Sequence, residues 1–201
     1  MNRPNFMQEI RNRIQLMVPG SVFVASDFAD IADTKRASEC LERLAAGGGA
    51  VRVMRGVYYK PEFSKLLGET VAPAPDNVAR AVARNYGWSI APCGDTALNL
   101  LGLSTQVPAV WSYVSDGPYK SYSYENTPIQ YKRTANKEIS KMSPKTALVI
   151  QALKTLGKDN IGEETVAQIR GILSEDERRT VLVEAQYATS WIYEVIKRIC
   201  R

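Results

Sequence analysis

Three consecutive glycines, Gly47 to Gly49, divide two kinds of hydrophobic period in the stretch LERLAAGGGAVRVMRGVYYKP, Leu41 to Pro61. Before them, Ala37, Leu41 and Leu44 recur at i, i+4 and i+7 with Cys40 beside the stripe, the spacing of an amphipathic helix. After them, Ala50 to Met54 and Val57 to Lys60 are short β-rich runs joined at Arg55-Gly56, the pattern of a hairpin. The helix is predicted to begin at Asp33 or Thr34, either of which can cap it, and to end at Gly47 in a left-handed conformation. No Gly-Lys-Ser/Thr follows the glycines, which argues against a phosphate-binding loop.

The residues upstream complete a pattern. Pro4 to Met17 reads as a first helix through Phe6, Ile10, Ile14 and Met17, ended by Val18-Pro19-Gly20. Ser21 to Val24 is strand-like, and Ser26 is placed to cap a small helix from Asp27 to Ile31. Three helices, a short strand and a hairpin, in that order, predict a winged helix-turn-helix, in which the third helix enters a DNA groove and the hairpin lies beside it. The candidate DNA-binding residues are then Thr34, Lys35, Arg36 and Arg43 on the helix, and Arg52, Arg55 and Lys60 on the hairpin. Arg52 should point outward with Val51 and Val53 inward. Residues 1–61 hold nine basic against six acidic side chains, within a chain of net charge +5. Arginines also line solvated helix faces, Glu39 and Glu42 oppose phosphates, and winged helices also hold proteins, so a partner-holding module stays open beside DNA binding.

Beyond a proline-rich joint at Val71 to Asn77, a helix capped by Asp76 or Asn77 is expected, with Arg80 and Arg84 on a solvated face. Asp95 or Thr96 should cap a short helix that Gly102 stops. Ala109 to Val114, Tyr119 to Tyr124 and Ile129 to Arg133 then read as an antiparallel meander with turns at Asp116-Gly117-Pro118 and Glu125-Asn126-Thr127. Tyr119, Tyr122, Tyr124 and Tyr131, interleaved with Lys120, Lys132 and Arg133, suit either a helix-covered sheet or a stacking surface for single-stranded bases. Ser143-Pro144 opens a helix that Gly157 ends; Glu163 to Leu173 is another, and Ser174 with Glu177 forms a capping box for the next. The last helix runs from Ser190 to Cys200. The expected class is α+β: a winged helix-turn-helix over residues 1–70, then a mixed domain over 71–201 with a small antiparallel sheet and C-terminal helices.

Composition closes several functional classes. The chain has no histidine, which removes Ser-His-Asp and Cys-His catalysis and histidine metal motifs. Cys40, Cys93 and Cys200 are odd in number and far apart, fitting free thiols in a reducing compartment. A carboxylate-built magnesium nuclease is the remaining enzyme class, but its acid-x-Lys element occurs only as Asp33-Thr34-Lys35, while Asp95, Asp116, Glu125 and Glu138 are scattered. Neither a membrane-length apolar run nor a signal-type stretch is present. A cytoplasmic non-enzyme without cofactor or metal, binding no membrane, is expected.

The segment RASECLERLAAGGGAVRVMRGVYYKP resembles the helix-and-wing signature of the AbiEi-type antitoxin and regulator family, with Arg55, Gly56, Val57 and Tyr58 as its Arg-Gly-x-Tyr element. TALNLLGLSTQVP and the strands after it are similar to the family's second domain, and the two segments together cover most of residues 1–157. The resemblance implies the antitoxin of a bacterial type IV toxin–antitoxin system. Its winged helix would repress its own operon by binding double-stranded operator DNA in the nucleoid, with oligomerisation on that DNA possible in principle. Its second domain would counteract a nucleotidyltransferase-like toxin; members without a toxin gene act as stand-alone regulators. Lys35, Arg36, Arg43, Arg52 and Arg55 match the family's DNA-binding module.

Overall fold

The computed structural model describes residues 5–66, 68–134, 139 and 141–201; the predicted helix start at Pro4, and Glu138, lie outside the described residues. The chain is mixed α+β and forms two compact units, residues 1–88 and 89–201. Among the described residues, no helix is long and apolar enough to cross a membrane.

In the first unit, α1 (Phe6–Leu16) is capped by Asn5 and buries Ile10 and Ile14. It is followed by β1 (Val22–Val24) and, where a small helix is predicted, by a single 3-10 turn, Ala25–Phe28. That turn starts from Val24 rather than Ser26, because the Asp27 carboxylate accepts from the Val24 amide at 3.0 Å. Helix α2 (Thr34–Ala46) is capped by Asp33, whose carboxylate accepts from the Arg36 amide at 2.9 Å, and it buries Ala37, Leu41 and Leu44. The left-handed residue after α2 is Gly48 (φ 75°) and not Gly47 (φ −93°). The shift follows from the hydrogen bonds: Gly49 N–H donates to the Leu44 carbonyl at 2.8 Å and Gly48 N–H to that of Ala45 at 3.2 Å, a Schellman closure.

Strands β2 (Val51–Met54) and β3 (Val57–Tyr59) form the predicted hairpin, and β3 is central in the antiparallel sheet β1-β3-β2. Val51 is exposed instead of inward: β2 is an edge strand, Ala50 takes the buried place, and the register slips between Arg52 and Met54. A two-stranded hairpin, β4 (Glu62–Ser64) and β5 (Glu69–Val71), precedes α3 (Pro75–Tyr86). Pro75 occupies the first turn of α3, where its missing N–H costs nothing, and neither Asp76 nor Asn77 is the cap. The face of α3 built from Val78, Ala79, Ala81, Val82 and Ala83 is buried and packs on β1 and β3. The chain beyond residue 70 thus continues the first unit, which runs to Trp88.

In the second unit, β6 (Ile90–Pro92), β7 (Trp111–Ser115), β8 (Lys120–Tyr124) and β9 (Thr127–Arg133) form a sheet of order β6-β7-β9-β8. The predicted meander is corrected here, because β7 pairs with β9 in parallel and only β8–β9 is a hairpin. The turn at Asp116 explains it. The Asp116 carboxylate accepts from the Ser89 amide at 2.8 Å and the Ser115 hydroxyl from Gly117 N–H at 3.0 Å, while Pro118 has no amide to begin a ladder. Helix α4 (Asp95–Leu100) leaves Gly94, without a side-chain cap. Thr96 is buried instead, accepting from the Ser112 amide at 2.8 Å and donating to the Val110 carbonyl at 3.4 Å.

Helices α5 (Pro144–Leu156), α6 (Glu163–Ile172), α7 (Glu175–Glu184) and α8 (Ser190–Cys200) share a core with α4 that includes Leu101, Leu153, Ile169, Ile192 and Ile196. Glu184 ties the end of α7 to the start of α5, accepting from Ser143 N–H at 2.8 Å, from the Ser143 hydroxyl at 2.7 Å and from the Thr146 hydroxyl. Burial works against its ionisation, but the bonds from Thr146 and Ser143 outweigh it and hold the carboxyl below its ordinary range. A depressed folded pKa means stability that is present above the unfolded pKa and lost as pH falls through the folded one. Glu184→Gln is therefore expected to cost about 1–2 kcal/mol at neutral pH. Urea denaturation should show that difference shrinking as pH drops below the ordinary glutamate range.

Candidate nucleic-acid interface

The buried stripe of α2 fixes what its other side presents. With Ala37, Leu41 and Leu44 inward, Lys35, Arg36, Glu39, Glu42 and Arg43 are exposed, and Thr34 is the exposed first residue of the helix. Arg52 is exposed on β2 and Arg55 at the hairpin tip. Gly56 makes that tip with φ 79°, and a Cβ there would lie 3.2 Å from the side chain of Asn85 on α3.

Internal partners sort the seven candidates. Arg36 pairs with its own cap, Asp33, at 3.1 Å, and its guanidinium lies 5.6 Å from the Phe6 ring centroid. The Nε of Arg52 donates to the Met54 carbonyl at 3.4 Å. Arg52 and Glu42 also act oppositely on the Tyr58 hydroxyl, whose pKa is pushed up chiefly by burial. Lys60 is committed to structure: its ammonium donates to the Gln15 and Met17 carbonyls, each at 2.7 Å, where α1 ends. Lys35, Arg43 and Arg55 are exposed and form no ion pair among the described residues.

The basic pair on α3 is not the solvated face the sequence predicts. Arg80 pairs with Asp76 at 2.7 Å, and Arg84 grips Asp27 through two bonds of 3.0 Å and the Val22 carbonyl at 3.1 Å. The tyrosines of the second unit divide the same way. Tyr113 and Tyr131 are fully buried and stack at 5.8 Å, and Tyr124 is buried, leaving Tyr119 exposed on the surface. They are the interior of a sheet and offer no row of faces to bases.

The residue set of a carboxylate nuclease is not assembled. Asp33 of the acid-x-Lys element is the cap of α2, and among the described residues no group of three His, Cys, Asp or Glu could hold a metal ion. Burial pushes the thiols of Cys40, Cys93 and Cys200 up, away from the reactive thiolate form.

A family profile matches residues 9–181, across both units. The chain belongs to DUF6088, a family of unknown function. No curated protein matches it. The matched stretch of DUF6088 contains α2, the β2–β3 hairpin and all seven candidate residues. Asn85, against the hairpin tip, is the neighbour that sequence reasoning missed; only the fold-back of α3 brings it there, and no local pattern signals it.

Proposed function

We propose that this DUF6088 chain is a DNA-binding repressor whose first unit works as a winged helix-turn-helix. In this reading α2 is the recognition helix and the β2–β3 hairpin the wing. The observation that carries it is the cationic charge left after internal pairing: Lys35 and Arg43 on the exposed side of α2, and Arg55 at the hairpin tip. Arg36 and Arg52, exposed and only locally engaged, can turn to phosphates at small cost, since exposed ion pairs are worth about 0–1 kcal/mol. Lys60 supports the wing without touching DNA.

The resemblance to AbiEi-type antitoxins extends the proposal. The repressor acts on its own operon in the cytoplasm, and the second unit counteracts a nucleotidyltransferase-like toxin encoded beside it. Two glutamates on the outward side of α2, Glu39 and Glu42, favour one second reading, in which the first unit holds a protein partner.

Fluorescence anisotropy decides between them, with the duplex upstream of the protein's own gene and a scrambled duplex of equal length, at low and near-physiological salt. A preference for the native duplex of about a thousandfold or more is the expected result. Equal and steeply salt-dependent binding of both duplexes, or no binding at either salt, overturns the repressor.

A further inference from the structure

The second unit contains a cavity of about 550 Å³ where α5 meets the end of α7, a size within the range of about 300–1,000 Å³ typical of small-molecule sites. Its apolar side is Met142, Ile150 and Ala188. Lys154 lies one turn beyond Ile150 on the same face of α5, and Lys141 stands just ahead of that helix, so two ammonium groups border one apolar surface.

The cavity's carboxylate does not cancel them. Glu184 is turned into the first turn of α5, where Ser143 and Thr146 supply three donors to it. Its charge faces the amide end of a helix, which offsets an anion there. The α5 N-terminus is thereby filled from within, and the charge offered to the cavity is that of the lysines. Tyr187, 83% exposed at the rim, adds an aromatic face with a hydroxyl.

We propose that this cavity binds an amphipathic organic anion, with its apolar body on Met142, Ile150 and Ala188 and its acid group between Lys141 and Lys154. An inorganic anion leaves the apolar surface unused, and an organic cation meets two like charges. The site stands apart from the repressor reading and holds whether or not the first unit binds DNA.

Two dyes sharing one skeleton test it on the full chain. The probe 8-anilinonaphthalene-1-sulfonate carries the acid group, and N-phenyl-1-naphthylamine lacks it. The sulfonate is expected to bind one per chain by fluorescence titration, about tenfold more tightly than the neutral dye. The double variant Lys141→Glu/Lys154→Glu, at two exposed positions, should lose about that factor for the sulfonate alone, at an unchanged melting temperature. Ala188→Phe, which narrows the cavity, should weaken both dyes. Equal binding of the two dyes, sulfonate binding indifferent to the lysine reversals, several sulfonates per chain, or no binding overturns the proposal.

Discussion

Lys35→Glu/Arg43→Glu/Arg55→Glu is expected to weaken binding to the upstream duplex by roughly 200- to 1,000-fold at near-physiological salt. Each reversal removes one cation from the phosphate field and adds a repulsive charge, at about 1–1.5 kcal/mol each, or about 3–4 kcal/mol together. The log–log salt slope should flatten by about three units, because each phosphate neutralised contributes about −0.9. All three positions are exposed and unpaired with any described acid, so the melting temperature should hold. Full affinity in the triple variant would sink the assignment of α2 and the hairpin as the DNA-binding surface.

Lys60→Met is the matched control. Losing two bonds of 2.7 Å to the Gln15 and Met17 carbonyls should lower stability by about 1–3 kcal/mol and leave the salt slope of the folded protein unchanged. One lysine and three other cations, indistinguishable by charge, thus separate by which quantity they move.

That separation marks where the sequence stops being legible. Helices announce themselves locally: Asp33 before α2, Ser143-Pro144 before α5 and the Ser174/Glu177 box of α7 are all formed as the pattern predicts. Sheet order is a long-range property, and neighbouring strands in sequence suggested a meander where β9 inserts between β7 and β8. The turn at Asp116 goes unrecognised because its decisive partner, the Ser89 amide, lies 27 residues away. The unit boundary fails for a similar reason. Val71 to Asn77 has the composition of a linker, yet the small residues of α3 face β1 and β3. The basic character of α2 and the hairpin is legible by composition, but its division is not. Arg84 meets Asp27 across 57 residues and Lys60 meets the end of α1 across 43 and 45, so their charges are spent in ways no local window contains.

Phe28→Ala is expected to cost about 3–5 kcal/mol, the range for truncating a buried aromatic side chain. Phe28 is fully buried at the end of the 3-10 turn, its ring edge-on to Phe23 at 5.9 Å, in a core shared with Ile10, Ile14, Ala37 and Leu41. The Arg13 guanidinium lies 5.9 Å from the same ring and is held there by two bonds to Asp30 of 2.6 and 2.7 Å. Removal of the ring therefore leaves a void between α1 and α2 that an arginine anchored at the surface does not collapse to fill. A loss of that size is a large share of the 5–15 kcal/mol by which a domain typically holds its fold. Urea denaturation followed by amide hydrogen exchange should show residues 5–86 losing protection at lower denaturant than in the parent. Because α2 owes its seat to that core, DNA binding should fall with the folded fraction and recover when low temperature or excess operator restores it. A Phe28→Ala protein as stable as the parent would mean that the first unit is held by its ion pairs, Arg13–Asp30 and Arg84–Asp27, instead of by this packing.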